Sequence, residues 1–285
     1  MIVEVDFERP DFQRRFGGVA RLYGVTGLSK LQAAHVVVVG IGGVGSWAAE
    51  ALARNAIGAI TLIDLDNIAE SNVNRQIHAL DGEFGKAKVT AMHARILAIN
   101  PMCQVREIED FITPQNITKL LDFDCDVILD CIDDAQAKVA LADFCKHTEK
   151  KLISTGGAGG RLDATKVKVA DLAHVTGDKL LAKVRNQLRR DYQFPKAQDL
   201  NSKHSKKSAK FGIACVYSDE QVIKPDTPLD DSTSDALAAS CDAPSSDAQN
   251  KAITGLNCAG YGSSVCVTAS FGFVAAGLVL QQLLT

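Results

Sequence analysis

The sequence predicts an α/β protein built on a doubly wound, mostly parallel sheet, with an N-terminal helical segment and an irregular C-terminal extension. Two observations carry this reading. First, four β-branched residues, Val36 to Val39, run into Gly40-Ile41-Gly42-Gly43-Val44-Gly45-Ser46, and an alanine-rich helical pattern, Trp47 to Ile57, opens from the last glycine. Second, strand-like and helix-like segments alternate from residue 35 to residue 155. That is the order expected when crossover helices join parallel strands.

The elements follow in order. Asp11 sets up a helix start, and Phe12, Phe16, Val19, Leu22 and Tyr23 recur at helical spacing; Gly24 and Gly27 are read as its end. Ala59 to Asp64 reads as a second strand, so residues 36–64 form one βαβ unit with a right-handed crossover. Lys86 to Ile99 is a helix, closed by Asn100-Pro101. Strands are expected at Val105–Ile108, Cys125–Leu129 and Leu152–Ser154, with a helix at Ala135–Lys146. Gly156 to Gly160 is a flexible elbow. Beyond it come a strand at Val167–Leu172, a helix at Asp178–Arg190 and a strand at Phe211–Tyr217. Residues 1–175 are read as the nucleotide-binding part and 176–285 as the C-terminal part of the same fold.

Bulk properties narrow the options. With 285 residues and a net charge of −3, the chain can bury a large core and has no global field for polyanions. Nucleic-acid contact must come from a local patch, and one exists: residues 183–210 hold nine basic and two acidic residues. Eight cysteines occur without a C-x-x-C pair, which argues against structural zinc and for reduced thiols in a cytoplasmic setting. Residues 1–15 are charged throughout and do not read as a signal peptide. Residues 225–250 hold six aspartates and no lysine or arginine, the composition of a disordered acidic loop. From Gly255 onward there is no charge. The apolar helix at 262–284 is read as packing in the core or at a subunit interface; membrane association is the alternative.

Gly40, Gly42 and Gly45 keep the G-x-G-x-x-G spacing, with Gly43 between them. Such a turn brings bare backbone N–H groups to a helix N-terminus, where phosphate oxygens are the natural guest. The glycines do not select the nucleotide. The downstream residues argue for a triphosphate over a hydride carrier. Asp64 and Asp66 end the second strand, and Asn72, Asn74, Arg75 and Gln76 follow. Lys88 comes next, and Asp133 with Asp134 lies just past a later strand. Arginine and lysine neutralise phosphate charge, and an aspartate can hold Mg²⁺ against phosphates. Each has a bland reading alone: Asp64 as a strand-end cap, Lys88 as a solvated helix residue, Asp134 as a helix cap, His78 as packing. Their joint order makes the bland account poor.

G-x-G-G-x-G-S, D-x-D, S-N-x-N-R-Q, K-x-K and D-C-x-D together resemble the ubiquitin-activating (ThiF-like) adenylating enzymes. Arg15 to Gly24, Gly156 to Asp163 and Val267 to Gly272 look like the tRNA-dehydratase branch of that superfamily. That resemblance implies ATP-driven ring closure in the threonylcarbamoyladenosine beside the anticodon. It implies that Asp64 binds ribose, that Asn72, Arg75 and Lys88 contact phosphates, and that Asp133 is linked to Mg²⁺. Gly40, Gly42, Gly43, Gly45 and Asp66 complete the expected ATP contacts, and Lys203, Lys206, Lys207 and Lys210 the expected tRNA contacts. Relatives that activate ubiquitin-like carriers carry an arginine where Gly18 stands; Arg15 and Arg21 are the candidates to replace it. The resemblance also implies a homodimer and a link to a cysteine desulfurase or sulfur-acceptor system. Three rival readings stay open: activation of a ubiquitin-like sulfur carrier, NAD-dependent oxidation, and a non-catalytic nucleotide-binding partner.

Overall fold

The computed structural model describes residues 11–196, 209–223 and 261–285. Its centre is a seven-stranded sheet in the order β3-β2-β1-β4-β5-β7-β6. The strands are β1 (His35–Val39), β2 (Ala59–Ile63), β3 (Gln104–Ile108), β4 (Val127–Asp130), β5 (Lys151–Thr155), β6 (Val167–Asp171) and β7 (Ala214–Ser218). All neighbours pair in parallel except the edge strand β6, which runs antiparallel to β7. The helices are α1 (Phe12–Ala33), α2 (Gly45–Arg54), α3 (Lys88–Ile99), α4 (Ile117–Leu120), α5 (Ala135–Thr148), α6 (Lys179–Asp191) and α7 (Val265–Leu284).

The two-residue period of a strand explains why β1 is apolar throughout. Val36 and Val38 join the core under α2, α3 and α7, while Val37 and Val39 join the core under α5 and α6. A strand covered on both faces has no solvent side to make polar. Strand order reverses between β2-β1 and β1-β4, so the crevice for a ligand opens at the C-terminal ends of β1 and β4.

Some boundaries differ from expectation. Asp11 caps α1 through Arg14 N at 3.1 Å, as its position predicts. The chain kinks at Gly24, where φ is 78°, but α1 continues through Gly27 to Ala33. Gly27 is there for contact: a β-carbon on it would lie 2.9 Å from Tyr23 Cβ and 3.3 Å from a methyl of Leu284. The expected strand at Cys125–Leu129 is displaced to Val127–Asp130, because Asp126 is spent accepting from the His35 N–H at 2.8 Å. The short helix α4 carries too few residues to show a period.

The apolar C-terminal run is α7, and one face of it belongs to the core through Val267, Phe271, Ala275 and Val279. It lies so close to α2 that a β-carbon on Gly272 would sit 2.6 Å from Val44 O and 3.0 Å from Ala48 N. Backbone contact this close excludes lipid from that side of the helix. Its outward side keeps Phe273 49% exposed, edge-on to Trp47. The acidic segment 225–250 lies outside the described residues, as do Lys203, Lys206, Lys207 and Cys241.

Candidate active site

The crevice begins with the glycine turn. Gly40 has φ +85°, and a β-carbon there would approach the Cys131 backbone to 3.0 Å. A β-carbon on Gly45 would lie 1.8 Å from Gly40 O, so the turn closes only with glycine at that position. Gly42 faces open space, with no heavy atom within 4 Å of where its β-carbon would be. The amides of Gly42 and Gly43 have no hydrogen-bond partner among the described residues. The N-cap of α2 is Val44, which supplies no capping side chain. An uncapped helix start beside free amides is a site for anionic oxygens.

The structure brings Arg75 to this turn. Its stem lies over Gly43, whose β-carbon would fall 3.2 Å from Arg75 Cγ. The guanidinium donates to Ser71 O at 2.7 Å and Asn74 Oδ1 at 3.0 Å. The backbone is pinned separately, since Trp47 Nε1 donates to Arg75 O at 2.9 Å. Asn74 reaches across to Ser263 O at 2.9 Å, tying this segment to the approach to α7. Asn72 is buried, and its Oδ1 accepts from Ala69 N at 3.1 Å, so much of its polarity holds the local turn.

Asp64 ends β2 beneath the turn. Its two oxygens accept from Ile41 N at 2.6 Å and Asp66 N at 2.9 Å. Burial pushes its carboxyl above the usual range, opposed by Lys88 and by those two amides. Lys88 opens α3 and is itself buried; its ammonium lies 2.7 Å from Asp66 Oδ2 and 4.0 Å from Asp64 Oδ1. The lysine therefore meets the two aspartates rather than solvent. Asp66 keeps 53% of its side chain exposed. Asp133 is half-buried in the turn between β4 and α5. Asp134 caps α5, accepting from Ala137 N at 2.8 Å, as its bland reading holds.

Arg15 does not serve this crevice. It donates to Ala98 O and Ile99 O at the C-terminal end of α3, where carbonyls lack helical partners. The candidate replacement for the relatives' arginine is thus corrected for Arg15. His78 is a buried hydrogen-bonding residue, with burial pushing its pKa down to about 4. Burial likewise raises the thiols of Cys103 to about 11 and of Cys131 and Cys145 to about 12, which leaves them poor nucleophiles.

Two buried ionic clusters escape sequence reasoning. Lys138 is 1% exposed and lies 2.9 Å from Asp130 Oδ2, while Ser154 Oγ donates to the same oxygen at 2.6 Å. Asp130 Oδ1 accepts from Ile132 N at 3.1 Å and so shapes the turn that carries Asp133. Farther along, Arg161 pairs with Asp178 at 3.0 Å and donates to Ser218 O. Asp178 also accepts from Gly157 N at 3.0 Å and caps α6. This pins the glycine elbow to β7 and α6. The one sequence signal for Lys138 is a lone lysine amid alanine and valine on the inward side of α5.

A glycine turn at a topological switch point, with an arginine laid across it and acid–lysine groups at the next strand end, defines a nucleotide-binding α/β protein. The chain belongs to the ThiF family, whose model matches residues 14–281. It is 43% identical over 274 residues to the tRNA threonylcarbamoyladenosine dehydratase of Escherichia coli K12, covering 96% of this chain and 94% of that one. It is 41% identical over 275 residues to the enzyme of the same name from Haemophilus influenzae, covering 96% and 95%. Among solved structures, the E. coli dehydratase TcdA in complex with ATP superposes with a TM-score of 0.78 at 40% identity, covering 96% of each chain. The same enzyme with AMP gives a TM-score of 0.78 at the same identity and coverage.

Proposed function

We propose that this chain catalyses the ATP-dependent dehydration of threonylcarbamoyladenosine in tRNA to its cyclic form. The observation that carries the reading is that Arg75 lies on an open glycine turn in a chain similar, nearly end to end, to dehydratases of that name. A carboxylate is a poor electrophile because its leaving oxygen is strongly basic. ATP converts that oxygen into an adenylate or phosphate leaving group, and the ureido nitrogen of the same modified base closes the ring. One water is lost overall. Because attack is intramolecular, holding the two ends in line supplies much of the acceleration.

Each residue has a part in this reading. The amides of Gly42 and Gly43 and the start of α2 hold phosphate oxygens, with Gly40 and Gly45 making the turn. Each Asp64 oxygen accepts one amide and keeps a lone pair for a ribose hydroxyl. Arg75 neutralises charge on the phosphates, and Lys88, released from Asp66, does the same. Asn72 uses its amide toward a phosphate oxygen. Asp133 offers the hard oxygen donor that Mg²⁺ prefers; bound there, the ion would offset charge developing on the leaving group. A second copy docks on the outward side of α7, where Phe273 and its neighbours stand open. The setting is cytoplasmic, where ATP and tRNA meet.

The test is mass spectrometry of nucleosides from tRNA carrying the open modification, incubated with this protein and Mg-ATP. Loss of one water is expected. No loss, together with pyrophosphate exchange that depends on a ubiquitin-like carrier, would replace this reading with sulfur-carrier activation. The lysines after α6 are expected to meet the tRNA backbone. Exchanging Lys206, Lys207 and Lys210 for glutamate should weaken tRNA affinity and flatten its salt dependence by about three units of slope. Unchanged salt dependence in filter binding would move the tRNA surface elsewhere.

A further inference from the structure

We infer that His78 is a positioning residue that aims the Gly42 amide at the nucleotide phosphates; this rests on the ATP reading of the glycine turn. The argument starts from two consecutive peptide groups. The Gly40–Ile41 peptide is fixed through its N–H, which donates to Asp64 Oδ2 at 2.6 Å. The Ile41–Gly42 peptide is fixed through its carbonyl, which accepts from His78 Nε2 at 3.0 Å.

The second anchor matters most. All peptide bonds among the described residues are trans. In a trans peptide the C=O and N–H point to opposite sides. A side chain that holds the Ile41 carbonyl from below therefore points the Gly42 N–H the other way, into the open space in front of Gly42. Without that anchor the Ile41–Gly42 peptide can rotate, since glycine imposes little restraint of its own. Free rotation would turn the amide off its target and replace it with a carbonyl oxygen that repels phosphate.

The histidine is built for this task. A carbonyl only accepts, so Nε2 carries the proton and Nδ1 is a bare acceptor. Nδ1 has no hydrogen-bond partner among the described residues, as that tautomer requires of a ring used at one end only. The ring is 3% exposed and its pKa is held near 4, so it stays neutral and its single N–H stays committed to Ile41. Asp64 and His78 thus act as two buried posts, one for each peptide leading into the phosphate-facing amides.

The experiment is calorimetric titration of the full chain with ATP and, separately, with adenosine, for the wild type, H78L and H78Q. Leucine fills the space without a donor, whereas the glutamine amide can donate to Ile41 O. H78L is expected to bind ATP about tenfold more weakly, the scale of one backbone hydrogen bond, with adenosine affinity unchanged. H78Q should recover most of the ATP affinity. An ATP affinity untouched in H78L, an equal loss for ATP and adenosine, or no recovery in H78Q would overturn the inference. If H78L does not fold, H78N takes its place, because asparagine is too short to reach the carbonyl. A wild type that binds adenosine but gains nothing from the phosphates would overturn the reading of the turn as well as the role of His78.

Discussion

Replacing Arg75 with alanine is expected to slow ring closure by at least about a hundredfold, the usual loss when a charge-stabilising donor is removed. The fold should survive. Only the guanidinium contacts to Ser71 and Asn74 are lost, because Trp47 holds the backbone at that point independently. The check pairs the water-loss assay with urea unfolding. Lys88→Ala offers a useful contrast. It strips a buried partner from Asp64 and Asp66, so it should cost stability as well as rate. An R75A enzyme with full activity would remove arginine from the proposed phosphate contacts.

The largest stability effect is expected at Lys138. Lys138→Ala leaves Asp130 charged and buried, with only Ser154 and the Ile132 amide beside it. Breaking a buried ion pair on one side costs about 3–5 kcal/mol. Removing both charges in a D130N/K138M variant should cost clearly less, since no uncompensated charge remains. Urea unfolding of the two variants measures the difference. If K138A unfolds within about 1 kcal/mol of the wild type, the pair is not the fixed point it appears as in the fold. The same variants bear on the site, because Asp130 sets the turn that presents Asp133.

What could be read from residue order was what is local. Val36 to Val39, the glycine turn and the alanine-rich helix after it are contiguous, and their periods are visible without a fold. Asp64 was legible because it stands at a strand end a fixed distance past the glycines. Gly27 was misread because a glycine pattern does not distinguish a helix stop from a close approach, and here the approaching group is Leu284, from the far end of the sequence. Arg75 and Gly43 are neighbours only once β1 and β2 lie side by side; the resemblance to adenylating enzymes supplied that pairing in advance. Nothing local joins Lys138 to Ser154, or Arg161 to Asp178. Those pairs depend on which strands and helices neighbour one another. His78 looked like packing because its hydrogen bond goes to a main-chain carbonyl, and a main chain has no sequence signature.

The seating of Gly272 against Val44 and Ala48 also sets an order of events during synthesis. The glycine turn and α2 emerge from the ribosome long before the helix that backs them. Until α7 arrives, the apolar side of α2 formed by Ala48, Ala49, Leu52 and Ala53 lacks one of its covers. Exposed apolar surface of that kind invites chaperones and misassembly. Competence to bind nucleotide is therefore expected to come late, as a sign that translation has passed α7. Stalling the nascent chain before Val265 and probing it with a fluorescent ATP analogue tests this: tight binding at that stage would show that the turn forms without its backing helix.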